Sequence, residues 1–530
     1  MRRNMSRSIC LAALLAGLAT SSAWAQEGLT VLWGEDNATP SLYDPRITQS
    51  RHEMQVIWQV FDTLIAADGD GQLHSGLATD WEVSDDFQSL RMTLREGVTF
   101  HDGTPLNSEA VQFTFDTIVD PATGSQGAID YLGPYDRTEI ISDTEFVIHW
   151  SRPYPPMLTA LSEAYLAPVS PTAVQEMGNN GFATMPVGTG PFRFVQWDRG
   201  EQVILERFED YAWAPEFYDN EGPSQVERVV IRFVENAGTR VAALESGELN
   251  IIERTPPLDM RRLSGDAEYN TVSATVSGLP FSMMLNTSQW PLDDVNVRRA
   301  VIQSVDRARL TQSLFFGFAD PAYGVLSNVT PNYWEGAEDY YPYDPEAAVE
   351  LLLASGWELG SDGIWEKDGE DLSIHYLSML EPETGVALQA ALRENGIHLN
   401  VENVTKARQD ELVMSNDFDM GAIQWVSNDP SVLYIPFHSS NISGPGQFKF
   451  NWANIASDEL DGLLEEVTSA ISPDERDRIY DDIQRYIMDE AIFWSIRNQV
   501  QTLASDASLE GWQFAPGRWQ VRFYDVRTAE

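Results

Sequence analysis

The chain has 530 residues, with 34 Lys+Arg against 81 Asp+Glu, a formal net charge of −47 and a single cysteine. That charge repels phosphate backbones and argues against nucleic acid as a partner. One cysteine allows no disulfide framework, thiolate zinc site or iron–sulfur cluster. At 43% apolar and 11% aromatic residues the chain is too hydrophobic for an acidic disordered polymer, and its length calls for two or three domains. The acids are spread throughout rather than clustered, which reads as surface solvation in a salty or crowded compartment.

Residues 1–25 read as a secretory signal: Arg2, Arg3 and Arg7, then an apolar stretch over 9–19, then Ala23-Trp24-Ala25 as the cleavage site. Removing it leaves 31 basic residues against 81 acidic, a net charge of −50, and takes away Cys10. Export by the Sec route to a Gram-negative periplasm is expected, because no later segment has the length and hydrophobicity of a membrane span.

The mature chain opens on a buried strand over 29–33 that ends in a polar turn at 34–37. A helix is expected over 51–65. Leu90, Met92 and Leu94 alternate with polar neighbours as a half-buried strand does. His101-Asp102-Gly103 is a turn, and Val111, Phe115 and Ile118 share one face of the next helix. A strand is expected over 139–150, a turn at 188–191, a helix over 240–246 and a strand over 249–252. Asp344 followed by Pro345 starts a helix that stops before Gly356. Ser472 and Glu475 form a capping pattern ahead of Ile479, Ile483, Tyr486 and Ile487. Arg298 and Asp306, on a helix and at its end, are expected to pair. Strand and helix alternate without repeats, so the class is α/β.

No catalytic apparatus is legible. The seven histidines are far apart in sequence, and His52-Glu53 lacks the second histidine of a zinc-protease helix. The Gly-Thr-Gly-Pro run at 188–191 lacks the third glycine of a dinucleotide fingerprint and the Lys of a phosphate loop. No Gly-x-Ser-x-Gly elbow is present. No catalytic residue, metal ligand or cofactor is therefore assigned. Tryptophans and tyrosines recur instead in turn-rich segments, at Trp33, Tyr165, Trp334, Trp425, Tyr434 and Trp452; their polar tips suit a cleft for polar ligands, while any single one is more often ordinary core.

Several segments together resemble the family 5 extracellular solute-binding proteins of ABC importers, the oligopeptide, dipeptide and nickel type. These are Leu-Ala-Thr-Asp-Trp-Glu-Val-Ser-Asp-Asp at 77–86 and Leu-Arg-Glu-Gly-Val-Thr-Phe-His-Asp-Gly-Thr-Pro-Leu at 94–106. With them go Gly-Thr-Gly-Pro-Phe at 188–192, Leu285-Asn286, Pro-Leu-Asp-Asp-Val-Asn-Val-Arg-Arg-Ala at 291–300 and Tyr-Asp-Pro-Glu-Ala at 343–347. The resemblance implies a two-lobed periplasmic-binding-protein fold of type II with an extra subdomain in the first lobe. The lobes would close on ligand like a hinge. Residues 26–68, 190–280 and 497–530 would form the first lobe, 69–189 its extra subdomain and 281–496 the second lobe. The Gly-Thr-Gly-Pro run would shape a crossing close to the cleft.

The resemblance further implies a monomer that captures a small-molecule or oligopeptide ligand and delivers it to ABC permease subunits. The alternatives are an oligosaccharide or opine-type solute in the same fold, or a secreted hydrolase. Trp33, Glu35, Asn286, Trp425, Asn428, Asp429, His438 and Trp452 are the implied ligand-binding residues, Asn286 on a crossing segment. Peptide-binding members carry an acid for the ligand's free amine where Gln-Trp-Val-Ser-Asn-Asp-Pro stands here at 424–430, with Asn428 in the acid's place. An amide cannot neutralise a buried ammonium. Either Asp429 takes that role, or the ligand is a modified peptide or other solute without a free amine there.

Overall fold

The computed structural model describes residues 28–37 and 39–529; the expected leader at 1–25 lies outside them. A seven-stranded sheet runs in the order 269–275, 500–506, 251–253, 29–35, 226–233, 202–207, 192–198. The strand Leu29–Glu35 is parallel to both its neighbours, Val226–Phe233 and Ile251–Glu253. The helix Ala237–Glu245 connects these two, as a parallel crossover requires.

A second, five-stranded sheet has the order 398–403, 373–378, 420–426, 278–285, 493–497. Its strand Gly278–Leu285 is buried at every position and reads as a nearly continuous apolar run. That is what a strand covered on both faces needs. Between the first two strands of the large sheet's core, residues 78–150 add a four-stranded antiparallel sheet, 78–83, 89–94, 145–150, 135–140. It has its own core around Leu90, Met92, Phe115 and Phe146. The five-stranded sheet has a core built entirely from residues 279–496.

The local signals hold where side chains act on their own backbone. Asp344 accepts from the Ala347 amide at 2.9 Å with Pro345 in the first turn, and Ser472 accepts from the Glu475 amide. Asp102 accepts from the amide and hydroxyl of Thr104, and Gly103 takes φ +83°.

Four expectations are corrected. The helix expected over 51–65 ends at Val60. Its last carbonyl accepts from the Gly190 amide at 2.9 Å instead of continuing the ladder. A Cβ on Gly188 would lie 2.2 Å from that same carbonyl oxygen, so the Gly-Thr-Gly-Pro run makes a close crossing over the end of the helix. The strand expected over 139–150 is a hairpin of Tyr135–Ile140 and Glu145–Trp150, because the polar residues Ser142, Asp143 and Thr144 turn the chain. The strand expected over 249–252 starts at Ile251, since the Leu249 amide still bonds the Ala243 carbonyl at the helix end. Arg298 does not pair with Asp306. Its guanidinium, 3% exposed, donates to the carbonyls of Leu292, Asp293 and Glu490 and lies 3.5 Å from the Glu490 carboxylate. Asp306 caps the next helix through the Arg309 amide.

Candidate functional site

The two large sheets are joined where 269–275 passes into 278–285 and where 493–497 passes into 500–506. Gly278 has φ +115°, and a Cβ there would meet the Trp425 carbonyl oxygen at 2.2 Å. Only glycine allows the chain to pass so close to the end of the strand Met420–Val426. The Gln499 side chain ties the same place, donating to the carbonyls of Leu279 and Trp425. The Ser277 amide reaches the Gly517 carbonyl at 3.3 Å.

From this junction emerges the loop after Trp425. The Ser427 hydroxyl donates to the Asp429 carbonyl at 2.9 Å and accepts from its amide at 3.1 Å. One Asp429 carboxylate oxygen accepts from the Ser431 amide at 2.8 Å and so starts the short turn Pro430–Leu433. Asn428 is held on both sides. Its Oδ1 accepts from Ser277 Oγ at 2.7 Å, and its Nδ2 donates to Glu163 Oε1 at 2.9 Å. Glu163 precedes the turn Ala164–Leu166, whose Ala164 packs in the core under the seven-stranded sheet. The hydrogen bond therefore joins segments 265 residues apart in sequence.

Burial pushes the Glu163 carboxyl up to about 7, and Asp429 pushes it the same way; the Asn428 hydrogen bond and Arg522 offset part of this. Around the two acids stand tyrosines. The rings of Tyr131 and Tyr165 stack at 4.9 Å and 12°. Tyr154 Oη donates to the Tyr131 carbonyl at 2.7 Å. Burial raises the hydroxyls of Tyr131, Tyr154 and Tyr480, and the Asp429 charge raises all three further. Trp425 packs edge-on against Phe450 at 5.1 Å.

A second polar cluster lies at the C-terminal ends of the parallel strands 29–35 and 251–253, where open α/β sheets commonly hold ligands. Glu35 and Glu253 are 2% and 3% exposed. Glu253 accepts from the Asp36 amide at 2.9 Å and from Gln501 at 3.1 Å, while His52 Nδ1 is 3.7 Å from Glu35. Glu35, His52 and Glu253 could offer a cation three ligand atoms within 4.8 Å of one another. The surroundings oppose that use. After burial, Arg51, Arg254 and Arg240 are the groups that lower the His52 imidazole, to about 3. Arg240 and Arg254 pair with Asp36 at 3.1 and 2.8 Å. Guanidinium groups thus compensate Asp36 and Glu253, whereas Glu35, raised by its own burial and then by Glu253, is held protonated more easily than ordinary glutamate.

The remaining expected site residues are placed elsewhere. Trp33 is 0% exposed and packs on Phe523 at 5.3 Å in the first-lobe core. Asn286 is 0% exposed at the end of its strand remote from the lobe junction. Its amide donates to Asn416 and to the Phe418 carbonyl, and its oxygen accepts from Ser288 and Asn454. Trp452 is 5% exposed, donates to the Lys449 carbonyl at 2.8 Å and fills the space above Gly421. His438 stacks on Tyr434 at 4.3 Å and faces Ser440 and Glu465. All four side chains spend their polar atoms or their surface within one lobe. Of the eight, Trp425, Asn428 and Asp429 come together at the junction, and Glu35 lies in the separate cluster. Glu163, Tyr131 and Tyr154 were not legible as site residues, because nothing in the sequence ties them to Asn428.

Two cavities lie outside the inter-lobe space. One of about 30 Å³, lined by Trp58, Asp62, Trp213 and Arg522 among others, has room only for water. A shallow hollow of about 280 Å³ is bounded by Trp290, Trp357 and Lys367.

The model of the bacterial extracellular solute-binding proteins, family 5 Middle, matches residues 72–444. A probable di/tripeptide-binding protein 5 of Pseudomonas aeruginosa is 27% identical over 475 residues, covering 84% of this chain and 86% of that protein. The glutathione-binding protein GsiB of Shigella flexneri is 27% identical over 533 residues, covering 97% and 98%. Among solved structures, NikA from Brucella suis in complex with Fe(III)-EDTA superposes with a TM-score of 0.82 at 22% identity, over 94% of this chain and 99% of that one. DppA from Helicobacter pylori in complex with the peptide STSA superposes with a TM-score of 0.75 at 22% identity, over 95% and 99%. The two-lobed type II architecture with its inserted subdomain is the fold these structures share with this chain. Among the described residues no helix is long and apolar enough to cross a membrane.

Proposed function

This chain belongs to the family 5 bacterial extracellular solute-binding proteins, and from that premise we propose that it captures a peptide or peptide-like solute between its lobes and hands it to the permease of an ABC importer. The observation that carries this reading is the polar junction between the lobes. Glu163 of one meets Asn428 of the other at 2.9 Å, beside Asp429 and within a set of tyrosines. Groups that join across a hinge are the ones that sense what lies between the lobes. The related proteins named for di/tripeptides and for glutathione support a small peptide as the solute.

In this reading residues 1–25 direct Sec export to the periplasm and are removed. The first lobe comprises 26–68, 190–280 and 497–530, its subdomain 69–189, and the second lobe 281–496. The protein acts as a monomer and performs binding without chemistry. Trp425, Asn428 and Asp429 contact the solute. Trp33, Asn286 and Trp452 support their lobes from within.

Thermal unfolding in the presence of di- and tripeptides, glutathione among them, tests the reading. A ligand at 100 times its dissociation constant adds about 2.7 kcal/mol to the folded state. No shift with any small peptide, together with steady release of cleaved peptide products, would replace solute capture by the hydrolase reading.

A further inference from the structure

Resting on that reading of the inter-lobe junction, we propose that Glu163 is the residue that holds a cationic group of the solute, a protonated amine or a guanidinium. The carboxylate of Asp429 stands opposite, and the rings of Tyr131 and Tyr165 form the wall. The acid that position 428 lacks is thus supplied from the other lobe.

Four observations lead there. Asn428 offers a solute no negative charge, and both ends of its amide already hold a partner, Ser277 and Glu163. That contact restrains only Oε1 of Glu163 and leaves Oε2 without a protein donor among the described residues. No basic side chain among the described residues pairs with Glu163 or Asp429. The nearest positive influence on Glu163, Arg522, is committed elsewhere: it donates to the Ala67 carbonyl at 2.8 Å and lies over the Trp58 ring at 4.4 Å. Finally, Tyr480 is 6% exposed, feels the charge of Asp429, and its hydroxyl has no hydrogen-bond partner among the described residues.

Two half-buried acids without a counter-ion, walled by π faces, form an environment for a cation. Charge-assisted hydrogen bonds and cation–π attraction both act there, and both strengthen as water leaves a closing cleft. The net charge of −47 draws the same kind of ligand in from a distance.

The groups facing Glu163 are Asn428, Asp429, Arg522, Tyr131 and Tyr165. With its carboxyl at about 7 in the unliganded protein, a cation binds by displacing a proton. Affinity should therefore rise from pH 6 to pH 8.

The test uses the mature protein, an equimolar synthetic tripeptide library and its N-acetylated copy, read by native mass spectrometry and then by titration of the best binder. Every bound peptide is expected to carry a free amine or a guanidinium. Glu163→Gln should weaken that peptide at least tenfold at pH 8 and remove the rise of affinity with pH, while keeping a cooperative thermal transition. Asp429→Asn should weaken binding and keep the rise. Peptides without a cation binding as well as those with one, or unchanged affinity in Glu163→Gln, would overturn the assignment and leave solute capture standing. No binding from either library would overturn the assignment too, and a solute retained from the periplasm would then still speak for capture.

Discussion

Replacing Asn428 by Asp tests the inter-lobe contact with little change of volume. In place of Nδ2, which donates to Glu163 Oε1 at 2.9 Å, the variant puts a second carboxylate oxygen. The lost hydrogen bond to a charged acceptor is worth about 1.5–3 kcal/mol. Two like charges roughly 4 Å apart at an effective dielectric of about 20 repel by about 4 kcal/mol. Both residues are only partly buried, so solvent screening cuts the total to roughly 3–5 kcal/mol. A swing of about 5.5 kcal/mol converts a 99:1 population to its inverse, so at pH 8 the variant should lie mostly with its lobes apart. The raised carboxyl pair would share a proton at lower pH, and the contact should re-form near pH 5.5. Small-angle scattering is expected to show a larger radius of gyration for Asn428→Asp than for the parent at pH 8, and the same radius at pH 5.5. Asn428→Ala, which removes the bond without adding repulsion, should fall between. An unchanged radius at pH 8 in a folded variant would refute the contact as a lobe latch.

Three further outcomes are expected. Burial raises Glu163 to about 7 and Asp62 to about 6, above their ordinary values. The folded state then holds more protons than the unfolded chain between about pH 4.5 and 7, and stability falls as pH rises through that window. The unliganded melting temperature should be higher at pH 5 than at pH 8, and Glu163→Gln should reduce the corresponding difference in unfolding free energy by up to about 3 kcal/mol. Arg298→Ala strips donors from three carbonyls and should cost about 3 kcal/mol in urea unfolding, whereas Asp306→Ala removes one helix cap and should cost about 1 kcal/mol. Gly190→Ala would press a Cβ to 2.6 Å from the Val60 carbonyl carbon and should destabilise by about 3 kcal/mol or leave the protein insoluble.

Features written within a few residues were legible in the sequence. The strand alternation at Leu90, Met92 and Leu94 and the caps at Asp344 and Ser472 appear where their local chemistry puts them. Long-range partners were not. Glu163 and Asn428 stand 265 residues apart in sequence and meet only in the folded chain. Arg298 had a plausible acid eight positions away, yet a buried guanidinium gains more from three carbonyls that would otherwise go unpaired. Trp33 and Trp452 have polar tips that suggested a cleft, and both went to the core, where their area counts for more than their N–H groups. Asn286 carries the same lesson: an amide that ties Asn416, Phe418, Ser288 and Asn454 together is a network centre within one lobe.

Capture of a solute between the lobes is tested most directly by native mass spectrometry of the protein purified gently from the cells that make it. A discrete mass excess is expected that denaturation releases intact, as a small peptide or peptide-like molecule bearing a cationic group. A protein that leaves the periplasm bare, and that no peptide in the library then loads, would contradict it.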